Sequence, residues 1–220
     1  MRRLPPLRGF ENMPLVSLEE ATQPLLSQIP EIEHMVFIIQ ENRIQPNNGL
    51  TIDESSSIAL YSMEWSPRKD SFYIVLHGTL RNANREALLP CWHSFLKLFL
   101  TALSKLPPTG RRTIYRGVRT VGVLGNGAFF GKSESRTLFA IECDTGEDIR
   151  QNSFYQNEDD ILLLRGREFE IMSSMGMDNK LTMVQLKEVM PRFSNKLLLH
   201  PRVLQQSSRK LLPLPKEQQP

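Results

Sequence analysis

Three acids stand side by side in Glu158-Asp159-Asp160, directly ahead of the apolar run Ile161-Leu162-Leu163-Leu164. In an extended backbone, residues two apart share a side, so Glu158 and Asp160 are expected to point the same way. Paired carboxylates at a strand end suit general acid/base work, stabilisation of a developing cation, or capture of a guanidinium group. An acidic turn leading into a buried strand is the plainer alternative. In Tyr115-Arg116-Gly117-Val118, an arginine sits within an apolar segment. A planar, permanently charged donor in such a place needs an anionic partner, either a phosphate or a carboxylate of the protein.

Other motifs carry less chemistry. Gly122-Val123-Leu124-Gly125-Asn126-Gly127 lacks the third glycine of a dinucleotide loop, and no lysine follows in a Walker pattern, so turn chemistry is expected there. His34, His77, His93 and His200 form no HExxH or ligand pair, and Cys91-Trp92-His93 has no second pair to complete a metal site. No metal is expected.

The elements that must position these residues follow from periodicity. Residues 1–30 carry five prolines and no sustained period, which predicts an irregular extension. Ile32, Met35, Val36 and Ile39 recur at helical spacing over 31–43 until Pro46-Asn47-Asn48-Gly49 breaks the pattern. Thr51-Ile52-Asp53-Glu54 has the Thr-x-x-Glu form of a capping box and predicts a second helix through Ile58, Tyr61 and Trp65. A third helix is expected over 70–81. A fourth starts at Asn84 or Arg85 and runs through Trp92, Phe95, Phe99 and Leu103 to Pro107-Pro108, with Pro90 near its first turn or kinking it. Beyond Pro108 the period moves toward two, predicting strands at 113–118, 136–142, 161–164, 169–173 and 181–188. Helices followed by clustered strands, without βαβ alternation, indicate an α+β fold. The expected division is an extension at 1–30, one domain at 31–190 (helical 31–106, β-rich 113–190) and a flexible tail at 191–220.

Composition narrows the field. The chain has 220 residues, 40% hydrophobic and 23% charged, which fits a packed domain. With 27 basic and 24 acidic residues and a net charge of +3, bulk affinity for nucleic acid is not indicated. Two distant cysteines form no disulfide framework. Pro5, Pro6, Arg8 and Glu11 interrupt any signal-peptide core, and the longest apolar stretch, 94–103, contains Lys97 and is too short for a membrane span. A cytoplasmic protein without a membrane span is the expectation.

The order of Asp53-Glu54 through Tyr61-Ser62-Met63-Glu64-Trp65, then Ile114-Tyr115-Arg116-Gly117-Val118, Arg136-Thr137-Leu138-Phe139, Asp148-Ile149-Arg150, Ser153 and Glu158-Asp159-Asp160 resembles the arginine-specific NAD:protein ADP-ribosyltransferases, over roughly residues 50–188. That family carries an Arg-Ser-Glu signature. Arg116 matches its arginine, and Glu158-Asp159-Asp160 its Glu-x-Glu motif, with Asp160 in place of the closing glutamate. The family's strand with a Ser-Thr-Ser-like run is missing after Arg119-Thr120. The resemblance implies an ADP-ribosyltransferase-like fold, a helical half packed on a mainly antiparallel two-sheet β core. It also implies NAD as co-substrate, contacted by Arg116, Gly117 and Ser153, and an arginine-bearing acceptor protein. Asp160 and Glu158 are the implied catalytic pair, Asp160 stabilising a cationic ribose and Glu158 orienting the acceptor guanidinium. A catalytically inactive binding module of the same fold is the alternative, and an NAD glycohydrolase, with water as acceptor, is a third.

Overall fold

The computed structural model describes residues 7–42, 46–107, 109–119, 136–163, 167–177 and 180–189. The glycine turn at 122–127, His200 and the tail at 191–220 lie outside the described residues. Helices α1 (Leu18–Thr22), α2 (Ile32–Glu41), α3 (Ile52–Ser62), α4 (Phe72–Arg81), α5 (Arg85–Leu88) and α6 (His93–Lys105) precede all the strands. Thr51 and Glu54 form both hydrogen bonds of the capping box that starts α3. Pro90 opens a 3-10 turn, Pro90–Trp92, that separates α5 from α6. Its missing N–H costs nothing at that first position.

The prediction of an irregular extension at 1–30 is corrected by the structure. Leu18–Thr22 is helical, and Leu7, Leu18, Ala21, Leu25 and Ile29 are buried in the main core. Two devices start α1: the Ser17 hydroxyl accepts from the Glu20 amide, and the Asp53 carboxylate accepts from the Leu18 amide at 2.9 Å. The second comes from across the fold, so local periodicity could not announce it.

The helical core is centred on an aromatic cluster. Phe99 stacks on Tyr61 at 4.8 Å and on Phe95 at 5.6 Å, and Phe72 meets Phe95 edge-on at 4.5 Å. Rings of this kind dominate core energetics because each buries a large apolar area. Helix α3 runs through the middle, with every residue from Glu54 to Ser62 buried.

The β half contains a four-stranded sheet of order β1-β2-β6-β5, made from β1 (Arg112–Arg119), β2 (Arg136–Cys143), β5 (Glu168–Met177) and β6 (Leu181–Val189). Only the β2–β6 pairing is parallel within it. A second, two-stranded antiparallel sheet joins β3 (Glu147–Asp148) to β4 (Ile161–Leu162). The fold is therefore α+β, with helices first and a mainly antiparallel core of two sheets. Alternation along β4 serves both neighbours: Ile161 and Leu163 pack with Ile114, Ile141 and Cys143 of the large sheet, whereas Leu162 joins the helical core. Gly146 is needed for this approach, since a Cβ there would stand 2.6 Å from Ile161. Cys143 and Cys91 are free thiols.

Candidate functional site

Helix α3 offers its neighbours small residues and hydroxyls. The Ser55 hydroxyl donates to Asn152 Oδ1 at 2.9 Å, and the Ser62 hydroxyl accepts the Phe154 amide at 2.9 Å. These two bonds seat the segment between β3 and β4 against the helical half. The segment is closed at its base where the Ile149 amide donates to the Asp160 carbonyl at 3.2 Å. Ser153 and Asp160 are thereby brought together, the Ser153 hydroxyl donating to Asp160 Oδ2 at 3.4 Å.

The three acids separate by position. Asp159 is exposed and pairs with Arg150 at 3.2 Å, while Arg150 is also gripped by Asp148. Glu158 is half-buried, its amide tied to the Tyr155 carbonyl at 3.0 Å. Asp160 is 1% exposed, in phase with Leu162 of the helical core, and its Oδ1 has no hydrogen-bond partner. Burial raises its pKa from 3.8 to about 6, the Glu158 charge adds to this, and the Ser153 bond opposes it.

Arg116 shares a β1 face with buried Ile114 and pairs with half-buried Phe139 across the sheet. Its Nη1 is buried and unpartnered. No carboxylate among the described residues forms an ion pair with it. The plainer reading of Arg116 as half of a structural salt bridge finds no partner there. Burial lowers its pKa. Gly117, the next residue, belongs to the opposite face of β1, where a Cβ would meet open space.

Arg116 and Asp160 are not ion-paired, yet both act on one group. The Tyr61 hydroxyl, fully buried, has its pKa raised chiefly by burial, with Arg116 lowering it and Asp160 raising it. Tyr61 bonds His77 Nε2 at 3.1 Å. His77 is pushed down to about 4 by burial, then by Arg81 and Arg116, and so stays neutral at pH 7. Arg81, in the last turn of α4, likewise has no ion pair among the described residues. One buried carboxylate and two guanidinium groups without an ion pair among the described residues thus all act on Tyr61 of a neutral Tyr–His pair. Guanidinium pairs of this kind are suited to a diphosphate, and the carboxylate to a cation.

Sequence reasoning missed Tyr61, His77 and Arg81. Tyr61 and His77 read as helix-face residues, and a basic residue in a last helical turn reads as a match to the helix dipole. A separate groove of about 250 Å³, lined by Arg112, Tyr115, Arg150, Asp159 and Ile161 among others, contains none of the five predicted site residues. Among the described residues, no group of three or more His, Cys, Asp or Glu is placed to hold a metal ion, and no helix is long and apolar enough to cross a membrane.

No protein-family model and no curated protein matches the chain. Among solved structures, it is similar to the Vis toxin, an ADP-ribosyltransferase from Vibrio splendidus, at 17% identity and a TM-score of 0.47, covering 81% of this chain and 89% of that one. It is similar to the ADP-ribosyltransferase HopU1 of Pseudomonas syringae pv. tomato at 17% identity and a TM-score of 0.48, covering 80% and 89%. The eukaryotic mono-ADP-ribosyltransferase ART2.2 overlaps at 13% identity and a TM-score of 0.48, covering 80% and 85%.

Proposed function

We propose that the protein transfers ADP-ribose from NAD to arginine side chains of an acceptor protein, with release of nicotinamide. The observation that carries this reading is that Arg116 Nη1 and Asp160 Oδ1, two of the four buried ionic atoms without a hydrogen bond among the described residues, both act on Tyr61 without pairing with each other. Buried polar atoms are nearly always bonded, so two orphans of opposite charge beside one group suit a ligand carrying both signs. NAD has an anionic diphosphate and a ribose that becomes cationic as its bond to nicotinamide breaks.

In this reading Arg116, with Arg81, holds the diphosphate, and Asp160 supplies the negative charge that favours a cationic ribose. Glu158 orients the acceptor guanidinium, and Ser153 keeps Asp160 in place through its hydroxyl. Gly117 adds backbone alone. With a pKa of about 6, Asp160 is mostly ionised at pH 7, and transfer is expected to rise with pH through that value.

Incubation with labelled NAD and an arginine-rich acceptor tests the reading. The expected result is arginine-linked label that is lost in Asp160→Ala. A second reading, an inactive module of the same fold, is favoured by the aspartate standing one methylene short of glutamate at a buried point of the site. Absence of label, together with no rise in Tm on adding NAD, would establish that second reading.

A further inference from the structure

Glu64 has no part in the reading above, yet hydrogen bonds place it beside the acidic segment. It follows directly on Met63, the residue that closes α3. Its carbonyl accepts the Tyr155 hydroxyl at 3.1 Å, and two residues earlier Ser62 takes the Phe154 amide at 2.9 Å. Residues 62–64 are thereby tied to the segment that carries Asp160, and Glu64 is among the charges acting on Asp160.

The two carboxylates differ in access. The Glu64 side chain is 34% exposed, whereas Asp160 is buried with Oδ1 unpartnered. Glu64 Oε1 accepts Arg68 at 3.1 Å and the Tyr73 hydroxyl at 3.0 Å, which fixes the carboxylate and leaves Oε2 toward other donors. Arg68 is 65% exposed, so solvent screens most of its charge. A half-buried, oriented carboxylate within electrostatic reach of a buried, unsatisfied one is a setting for a cation that reaches in from solvent. A guanidinium suits it better than an ammonium, because its planar fork of five donors can serve two carboxylates at once.

We propose that Glu64 is a specificity-determining residue that binds the guanidinium of the acceptor at the edge of the Asp160 site. This assignment rests on the transferase reading and deepens it by naming a residue, outside the Glu158-Asp159-Asp160 motif, that selects the acceptor. The test is titration of the full chain with agmatine, a free guanidine, without NAD, by calorimetry or NMR, alongside a separate NAD titration.

Glu64→Gln keeps the shape and removes the charge, and it is expected to raise the agmatine Kd about tenfold, the loss of one charge-assisted contact. The NAD Kd is expected to stay within about twofold. Arg68→Gln, which spares Glu64 and removes its exposed partner, is expected to leave agmatine binding unchanged or tighter. Three outcomes overturn the proposal: no saturable agmatine binding by the wild type, equal binding by Glu64→Gln, or an Arg68→Gln loss as large as that of Glu64→Gln, which would trace the effect to local structure. Glu64-dependent agmatine binding by a protein that does not bind NAD would overturn the transferase reading instead, so the two failures stay distinct.

Discussion

Two acids are buried against the helical half, and they are treated in opposite ways. Glu54 is 2% exposed and fully engaged: its carboxylate accepts the Thr51 amide at 2.8 Å and the Lys105 ammonium at 2.7 Å. Asp160 is 1% exposed and keeps one weak bond from Ser153, with Oδ1 unpartnered and a pKa near 6. Burial alone therefore does not mark a functional acid. Glu54 caps and clamps a helix, and its charge is satisfied within the fold. Asp160 carries an unmet electrostatic demand that a cation would relieve, which is the condition expected of a group that acts on a ligand.

The largest expected effect is on activity. Asp160→Ala is expected to reduce arginine-linked labelling by about a thousandfold, the scale of losing a preorganised charge opposite a developing one. Glu54→Ala is expected to leave the labelling rate per folded molecule unchanged. Equal losses in the two variants, measured at matched folded fraction, would erase the distinction.

Stability is expected to move in opposite directions. Glu54→Ala removes the cap and one partner of the Lys105 pair, and is expected to destabilise by about 3 kcal/mol in urea unfolding. Asp160→Asn removes a charge that burial disfavours. The rise from 3.8 to about 6 corresponds to at most roughly 3 kcal/mol at pH 8. The sign follows from proton binding: between pH 4 and 6 the folded state holds this proton and the unfolded state releases it. Wild-type stability is therefore expected to fall across that window as pH rises, and Asp160→Asn is expected to lose this component of the slope. An Asp160→Asn variant less stable than wild type at pH 8 would place Asp160 with Glu54 as a structural acid.

Smaller effects concern the cationic side. Arg116→Gln and Arg81→Gln are each expected to weaken NAD binding about tenfold, with little change in Tm, because neither guanidinium has a carboxylate to abandon among the described residues. Tyr61→Phe is expected to cost about 1 kcal/mol of stability by leaving His77 Nε2 without its partner. An Arg116→Gln protein that binds NAD as tightly as wild type would remove the diphosphate from the reading of this site.

Much of the fold was legible. The stripes of α2, α4 and α6 and the Thr51–Glu54 box are local patterns, and local hydrogen bonds and one-sided burial produce them wherever the chain goes. The strands of the four-stranded sheet and β4 were legible for the same reason, although β5 runs to Met177, four residues beyond its predicted end, and the two-residue β3 was not expected. What failed was the N-terminal stretch. Prolines at 14, 24 and 30 break its apolar residues into pieces too short to show a period, and Asp53, 35 residues away, supplies the acceptor that helps α1 to start.

The sequence alone determined that helices come first and strands second, and that Arg116 and the acids at 158–160 are present at spacings able to do chemistry. Only the tertiary structure decided which charges are answered. Asp159 is outside with Arg150, Glu54 is inside with Lys105, and Asp160 and Arg116 keep unpartnered atoms beside Tyr61. The physical reason is range. Hydrophobic period and capping act over three or four residues, whereas the pairing of a buried charge depends on which distant groups the fold brings within a few ångströms of it.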